Sequence, residues 1–497
     1  MPFLTASRTQ AGASGELAHA AAVERLRASY AAIPTGRSVR LAKRTSNLFR
    51  PRSRGPVERL DVSALDGVIA IDAVARTANV QGMCTYERLV ATTLAQGLMP
   101  LVVPQLKTIT VGGAVSGLGI ESSSFRNGLP HESVLEMDIL TGAGDLVTAS
   151  RTSHPDLFAA LPNSYGSVGY AVRLTVELEP VQPYVGLRHV RFGDPESAMA
   201  AVETVVTTRA WERQPVDFVD GVVFALDEVY LTLGRFVADP AAAGCEASSD
   251  YTGQQIYYRS IRQRARDCLT VHDYLWRWDT DWFWCSEAFG AQNRLLRRVW
   301  PAAYRRSDFY HRLVGVENRY GIFARLDRLR GRPASERLVQ DVEIPVERTA
   351  AFVRWFTGRV GMFPIWLCPL RLRDDGAGAG AGGGAGASDG AGAGAGRAQR
   401  DTRPWPLYPL QPGSTYVNAG FWGMVQIATG ADDGDVNRLV EDAVSRHHGH
   451  KSLYSDAYYD RETFGALYGG EVYGRIKERY DPGHRLTGLY EKAVGRR

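Results

Sequence analysis

The spacing of apolar residues along this chain switches between helical and strand periods many times. Leu17–Ala32 places apolar residues at helical spacing among good helix formers, which predicts a helix; residues up to about Gly15 carry no such pattern and are expected to be frayed. Short runs at Val57–Val62, Gly67–Ile71 and Thr77–Val80, separated by turn residues, predict strands. Tyr86–Gln96 predicts a helix closed by Gly97. Two β-branched, apolar runs follow, Leu98–Pro104 and Val134–Leu140. The second passes through the turn Thr141–Asp145 into Leu146–Ala149, as in a hairpin. His154–Leu161 is a short helical piece, and Val172–Leu178 alternates as a strand does. The texture changes at Val185. Beyond it the pattern predicts strands at Gly186–Phe192, Asp217–Leu226, Val229–Val237, Asp341–Val346, Met362–Cys368, Thr415–Trp422 and Leu453–Asp460. It predicts helices at Pro195–Arg209, Glu347–Val360, Asp435–His447 and Arg461–Arg479. The first ~180 residues therefore read as strand-rich α+β, and the rest as a second unit with its own sheet.

Between the two β-branched runs lies Thr110–Gly128, TVGGAVSGLGIESSSFRNG, with five glycines: Gly112, Gly113, Gly117, Gly119 and Gly128. Glycine tolerates positive φ and close approach, and successive exposed N–H groups in such a loop make a nest for an anion such as a pyrophosphate. Ser116, Ser122, Ser123 and Ser124 add hydroxyls. A Gly/Ser-rich loop is commonly only a surface loop; its position between two buried-looking strands is what favours binding. A basic stretch from Arg37 to Arg54 contains LAKRTSNLF, Leu41–Phe49. It reads either as a second phosphate-contacting loop, through Lys43 or Arg44, or as a solvated basic arm.

Composition narrows the function classes. A net charge of +4 over 497 residues does not point to nucleic acid. Five scattered cysteines without a CxxC pair fit a reducing compartment and argue against a zinc site or a disulfide framework. His447, His448 and His450 form the only histidine cluster; no carboxylate or cysteine at ligand spacing accompanies it, and no metal is expected. There is no bilayer-length apolar run and no secretory signal, so a cytoplasmic protein is expected, with peripheral contact at the inner membrane face left open. Tyr257–Val314 holds five of the ten tryptophans (Trp276, Trp278, Trp282, Trp284, Trp300), which suits a core, a cavity wall or a headgroup interface. Gly376–Gly396 is Gly/Ala low complexity, read as a disordered insertion; its formal GxGxxG match is discounted because no strand feeds it and no helix follows.

Several stretches together resemble flavoproteins with the vanillyl-alcohol-oxidase, PCMH-type FAD-binding fold, and more narrowly the diminuto/seladin group of delta(24)-sterol reductases. They are Val102–Leu129, Ser164–Pro180, Gln340–Val346, Phe363–Pro369 and Leu453–Phe464. The resemblance implies an α+β protein: residues 1–16 disordered, a two-lobed FAD-binding domain over 17–184, and an α+β substrate cap over 185–400 interrupted by the insertion 376–396. Residues 401–497 would complete the cap and return to the flavin. Thr110–Ser122, including Val111, Gly112, Gly113, Ser116, Gly117, Gly119, Ile120, Glu121 and Ser122, would wrap the pyrophosphate and approach the isoalloxazine, with Gly128 closing the loop. Lys43, Arg44, Thr45, Ser46 and Asn47 would form the first FAD loop. Gly166, Gly169 and Val172 would edge the flavin or adenosine. Neither FAD loop holds His or Cys, so the FAD is expected to be non-covalent. A related activity implied by the resemblance is reduction of a methylene branch on a fatty acyl chain to a methyl branch, as in 10-methylstearate formation; a methyltransferase that makes the methylene lipid would be its partner.

Such an alkene has no carbonyl to accept charge. Protonating its less substituted carbon gives a tertiary cation that hydride from flavin N5 can quench, with NADPH or NADH as the electron source. The protein must supply a proton donor in a dry, apolar cavity. The candidate catalytic donors are Glu121, Tyr458 and Asp456; Tyr454 sits in the same segment, and His131 and Lys451 are weaker candidates. Two other readings remain: an alcohol or sugar oxidase or dehydrogenase of the same fold, and a non-catalytic lipid-binding protein.

Overall fold

Strand alternation is strongest in the middle of the first unit, and there it builds the longest strand. Gly169–Pro180 alternates buried with half-buried positions along its length. It is the centre of a six-stranded antiparallel sheet in the computed structural model, which describes residues 3–43, 48–50, 56–320, 333–373, 404–428 and 430–494. In spatial order the strands are Val68–Asp72, Thr77–Gln81, Gly169–Pro180, Val134–Thr141 and Leu146–Ser150, with Leu98–Pro100 pairing the far end of Gly169–Pro180. A small parallel pair, Val39–Leu41 with Glu58–Leu60, packs through Val39 and Leu60 onto Leu140 and Val172.

The second unit is an eight-stranded antiparallel sheet whose first strand begins at Tyr184. Its order is Arg266–Thr270, Tyr184–Phe192, Glu228–Val237, Phe218–Ala225, Ile365–Arg371, Thr415–Gln426, Ser335–Pro345 and His450–Lys451. Helices Pro195–Thr208, Val346–Arg359 and Asp435–Arg446 cover one face over a core that includes Val202, Val205, Phe352, Phe356 and Phe421. Trp276, Trp278, Trp282, Phe283, Trp284 and Trp366 instead join one continuous core with Val115, Leu174 and Val176 of the first unit. The aromatic segment thus cements the two sheets together.

Four expectations are corrected. The first helix runs from Phe3 to Ala31 rather than from Leu17, so the N-terminal stretch is helical; it is rich in Ala and contains no proline. Thr110–Gly128 is not a loop throughout, because Val111–Gly117 is helical and Ser124–Asn127 forms one further turn. Leu453–Asp460 is irregular rather than a strand; the Tyr458 N–H donates to the buried Glu441 carboxylate (3.1 Å) instead of to a neighbouring strand. The long C-terminal helix is two, Arg461–Leu467 and Gly470–Tyr480, broken where Gly469 takes φ +91°. The Gly/Ala insertion 376–396 lies outside the described residues. Among the described residues no helix is long and apolar enough to cross a membrane.

Candidate active site

Thr110 starts the glycine-rich helix as its N-cap. Its Oγ1 accepts from the Gly113 N–H (3.2 Å) and from Lys43 Nζ (3.1 Å). The Val111 N–H donates to Cys84 O (2.8 Å) and the Gly112 N–H to Gly82 O (3.0 Å). The first amides of this helix are therefore consumed inside the protein. A Cβ on Gly112 would come 2.7 Å from Gly82 O, and one on Gly82 would come 1.9 Å from Ala171 O. These glycines let helix, turn and strand lie backbone to backbone. Of the five glycines in the stretch only Gly128 has positive φ (+68°). The amides open to a ligand lie at the other end, where Leu118 turns the chain at φ +65°. Among the described residues no acceptor meets the N–H groups of Leu118, Gly119 or Ile120.

That end faces a cavity of about 350 Å³ between the two sheets. Of the residues singled out from the sequence, Lys43, Thr110, Gly112, Gly113, Ser116, Gly117, Gly119, Ile120 and Gly166 line it. Val111, Glu121, Ser122, Gly128, Gly169 and Val172 stand behind the wall. Val111 is core, Gly128 caps the Ser124–Asn127 turn, and a Cβ on Gly169 would meet Ile139 at 2.4 Å. Arg44, Thr45, Ser46 and Asn47 lie outside the described residues. The turn at Tyr165 and Gly166 holds Tyr165 against Gly117, and the Arg50 guanidinium lies over the Tyr165 ring at 4.6 Å. Phe49, Trp282, Phe283, Trp366, Trp422 and Tyr454 give the opposite wall its aromatic character. Open amides, the cations Arg40, Lys43, Arg50 and Lys492, and flat aromatic walls in one cavity fit a ligand with an anionic linker and a planar ring, as FAD has. Cys285 also lines it, but burial pushes its thiol up to about 12, so a thiolate is not at hand at neutral pH.

Two carboxylates, one buried and one half-buried, flank this space in different ways. Glu121 Oε1 accepts from Ser122 Oγ (2.6 Å) and from Arg277 Nη2 (3.0 Å). The same guanidinium donates to Asp220 Oδ2 (2.9 Å), which also accepts from Trp278 Nε1 (3.0 Å) and Trp366 Nε1 (3.3 Å). Burial pushes the Glu121 carboxyl above the usual range, and the Arg277 charge opposes this. Glu121 does not line the cavity.

Asp341 does. It sits on Ser335–Pro345, partly accessible through the cavity, and its Oδ1 accepts from Asn418 Nδ2 (3.2 Å). The Tyr454 hydroxyl hydrogen-bonds to the same carboxylate and itself accepts from Trp422 Nε1 (2.8 Å). Burial pushes the Asp341 carboxyl up to about 7, despite these two hydrogen bonds that favour its charged form. Burial, and then the Asp341 charge, push the carboxyl of Glu343, two residues along, well above the usual range.

The other candidates are placed away from the cavity. Asp456 accepts from Arg337 (3.1 Å), and Tyr458 lies against Gly434 under the Arg438 guanidinium. Lys451 is buried on Glu441 (2.5 Å). His131 is buried against the Trp405 ring, and burial lowers its imidazole to about 3. His450 packs between the Tyr408 and Tyr468 rings. Sequence reasoning missed Asp341, Trp422 and Tyr165. The signal for Asp341 was present: two carboxylates, Asp341 and Glu343, alternate with apolar residues within the stretch Gln340–Val346.

Comparison with known proteins covers the segment that forms much of this cavity's wall. Residues 20–150 match the family described as FAD binding domain. Over 442 residues the chain is 22% identical to delta(24)-sterol reductase of Homo sapiens, covering 86% of this chain and 75% of that one. It is 22% identical over 470 residues to delta(24)-sterol reductase of Arabidopsis thaliana, covering 88% and 77%. A 131-residue stretch, 26% of this chain and 25% of the relative, is 37% identical to cytokinin dehydrogenase 6 of Oryza sativa subsp. japonica. Residues 20–150 thus carry an FAD-binding domain in a chain of α+β, PCMH-type fold, and the chain is similar over most of its length to the delta(24)-sterol reductases.

Proposed function

We propose that this protein reduces an isolated C=C bond of a lipid, either a methylene-branched fatty acyl chain or a sterol side chain, with electrons from NADPH or NADH. The observation that carries this reading is Asp341, on the wall of an aromatic cavity, where burial pushes its carboxyl up to about 7. FAD, held non-covalently by the Leu118–Ile120 amides and the Lys43 side, supplies hydride chemistry when bound. An alkene without a carbonyl needs a proton from a group strong enough to give it up and poised to be protonated at working pH. Asp341 meets both conditions. Tyr454 and Asn418 hold its carboxyl in place and receive the charge left on it. Trp282, Trp366 and Trp422 line the same cavity, where aromatic rings would stabilise a tertiary cation on the substrate and limit the entry of water. Glu121 is the holder of the glycine stretch rather than the donor, because Arg277 and Ser122 occupy one oxygen and the cavity wall covers the group.

The experiment is anaerobic incubation with FAD, NADPH or NADH, and either a lipid bearing a methylene-branched acyl chain or a sterol with an unsaturated side chain, followed by mass analysis. The saturated product is expected from one of the two substrates. An unchanged lipid together with flavin reduced by an alcohol would instead make this an alcohol oxidase or dehydrogenase. A protein that takes up no FAD would make it a lipid-binding protein.

A further inference from the structure

The short helix Arg294–Val299 (RLLRRV) is turned inside out. Its Arg297 is buried: Nη1 and Nη2 donate to the two Asp281 carboxylate oxygens (2.5 and 3.0 Å) and Nε to Gly253 O (2.8 Å). Its apolar residues face outward. Leu295 is 78% exposed, Val299 76%, Leu296 48%, and Tyr304 just beyond is 49% exposed. Four of the nine exposed large hydrophobics among the described residues fall between Leu295 and Tyr304. A helix meeting water does the reverse, burying leucine and exposing arginine. The Asp281 pair fixes this rotation, so the apolar face is a built feature of the surface.

Charge identifies what covers it. From Ala288 to Ser307 the chain has five arginines and no acidic residue. Arg305 and Arg306 turn inward, to Gly253 O and to Glu87, while Arg294 and Arg298 stay exposed beside the leucines. Trp300 and Tyr304 stand at the base of the patch against Phe309, the pairing of ring and polar edge that suits a headgroup layer. The patch follows directly on the helical turn Cys285–Phe289, whose first residue lines the cavity.

We propose that Leu295, Leu296, Val299 and Tyr304, flanked by Arg294 and Arg298, dock the protein onto a bilayer bearing anionic head groups. Protruding apolar side chains flanked by exposed arginines suit insertion among lipids, not the filling of a partner's groove. The assignment stands on this surface and does not require the reaction proposed above.

The test is flotation of the full chain with vesicles of phosphatidylcholine alone and of phosphatidylcholine with phosphatidylglycerol. The wild type is expected to float with the anionic vesicles and to be partly released by salt. Leu295→Ser with Val299→Ser is expected to lose about tenfold or more in apparent affinity. Arg294→Glu with Arg298→Glu should lose the preference for anionic vesicles, with FAD uptake intact in both variants. A wild type that floats with neither vesicle, or variants that float as it does, overturns the proposal. So does a dimer in size-exclusion chromatography that Leu295→Ser with Val299→Ser abolishes while vesicles stay unbound, since the patch would then be a protein interface.

Discussion

Glu121 and Asp341 are acids beside the same cavity, the first buried and the second half-buried, and their surroundings make them opposites. Glu121 is locked into an ion network with Arg277 and Asp220 behind the wall. Asp341 is hydrogen-bonded by neutral groups, Asn418 and Tyr454, and opens onto the cavity. Burial raises both carboxyls. The difference is partner and access: Glu121 is tied to a cation at hydrogen-bond distance behind the wall, whereas Asp341 opens onto the cavity and can exchange a proton with whatever enters. Burial alone does not mark a catalytic acid.

Breaking each site separately sharpens the contrast. Asp341→Asn is expected to slow alkene-dependent turnover by about 10²–10⁴-fold with FAD uptake unchanged, measured by anaerobic single turnover. Arg277→Leu acts on the other side: it leaves Glu121 and Asp220 buried without their cation and should cost about 3–5 kcal/mol of stability, measured by denaturant unfolding. The pH profiles should then separate the two sites. Turnover in the wild type should fall as pH rises through about 7, where Asp341 loses its proton. Tyr454→Phe removes a hydrogen bond that favours the charged carboxylate, so this limb should move to higher pH, with a rate loss of about tenfold at neutral pH. Between about pH 4, where the unfolded carboxyl titrates, and about 7, folded Asp341 keeps a proton that the unfolded chain has lost. Its contribution to stability therefore declines as pH rises through that window, and Asp341→Asn should flatten this part of the stability profile in the FAD-free protein. The smallest effect is expected for Glu121→Gln, whose turnover should stay within about threefold of wild type because Arg277 retains Asp220. A large loss there with no loss in Asp341→Asn would reverse the comparison.

How far the sequence could be read depends on the range of the interactions involved. Local alternation locates most strands of both sheets, since facing sides is a property of neighbouring residues. Its failures are equally local. Leu453–Asp460 has a strand's residue types, but Glu441 captures its backbone. The glycine stretch points to the cavity for a partly different reason from the one composition suggests. Gly112 is required by the nearness of Gly82 O rather than by positive φ, and sequence cannot distinguish the two needs. The donor is the least legible part. Choosing between Glu121 and Asp341 requires knowing that Arg277, 156 positions away from Glu121, reaches it, and that Tyr454 reaches Asp341. Nothing in local pattern encodes either meeting.

The most direct measurement is the rate at which the lipid alkene reoxidises the reduced flavoprotein, followed anaerobically across pH in wild type, Asp341→Asn and Glu121→Gln. The expected rate falls above about pH 7 in wild type and in Glu121→Gln, and is nearly absent and without this limb in Asp341→Asn. An Asp341→Asn protein that reoxidises at the wild-type rate with the wild-type pH profile would contradict it.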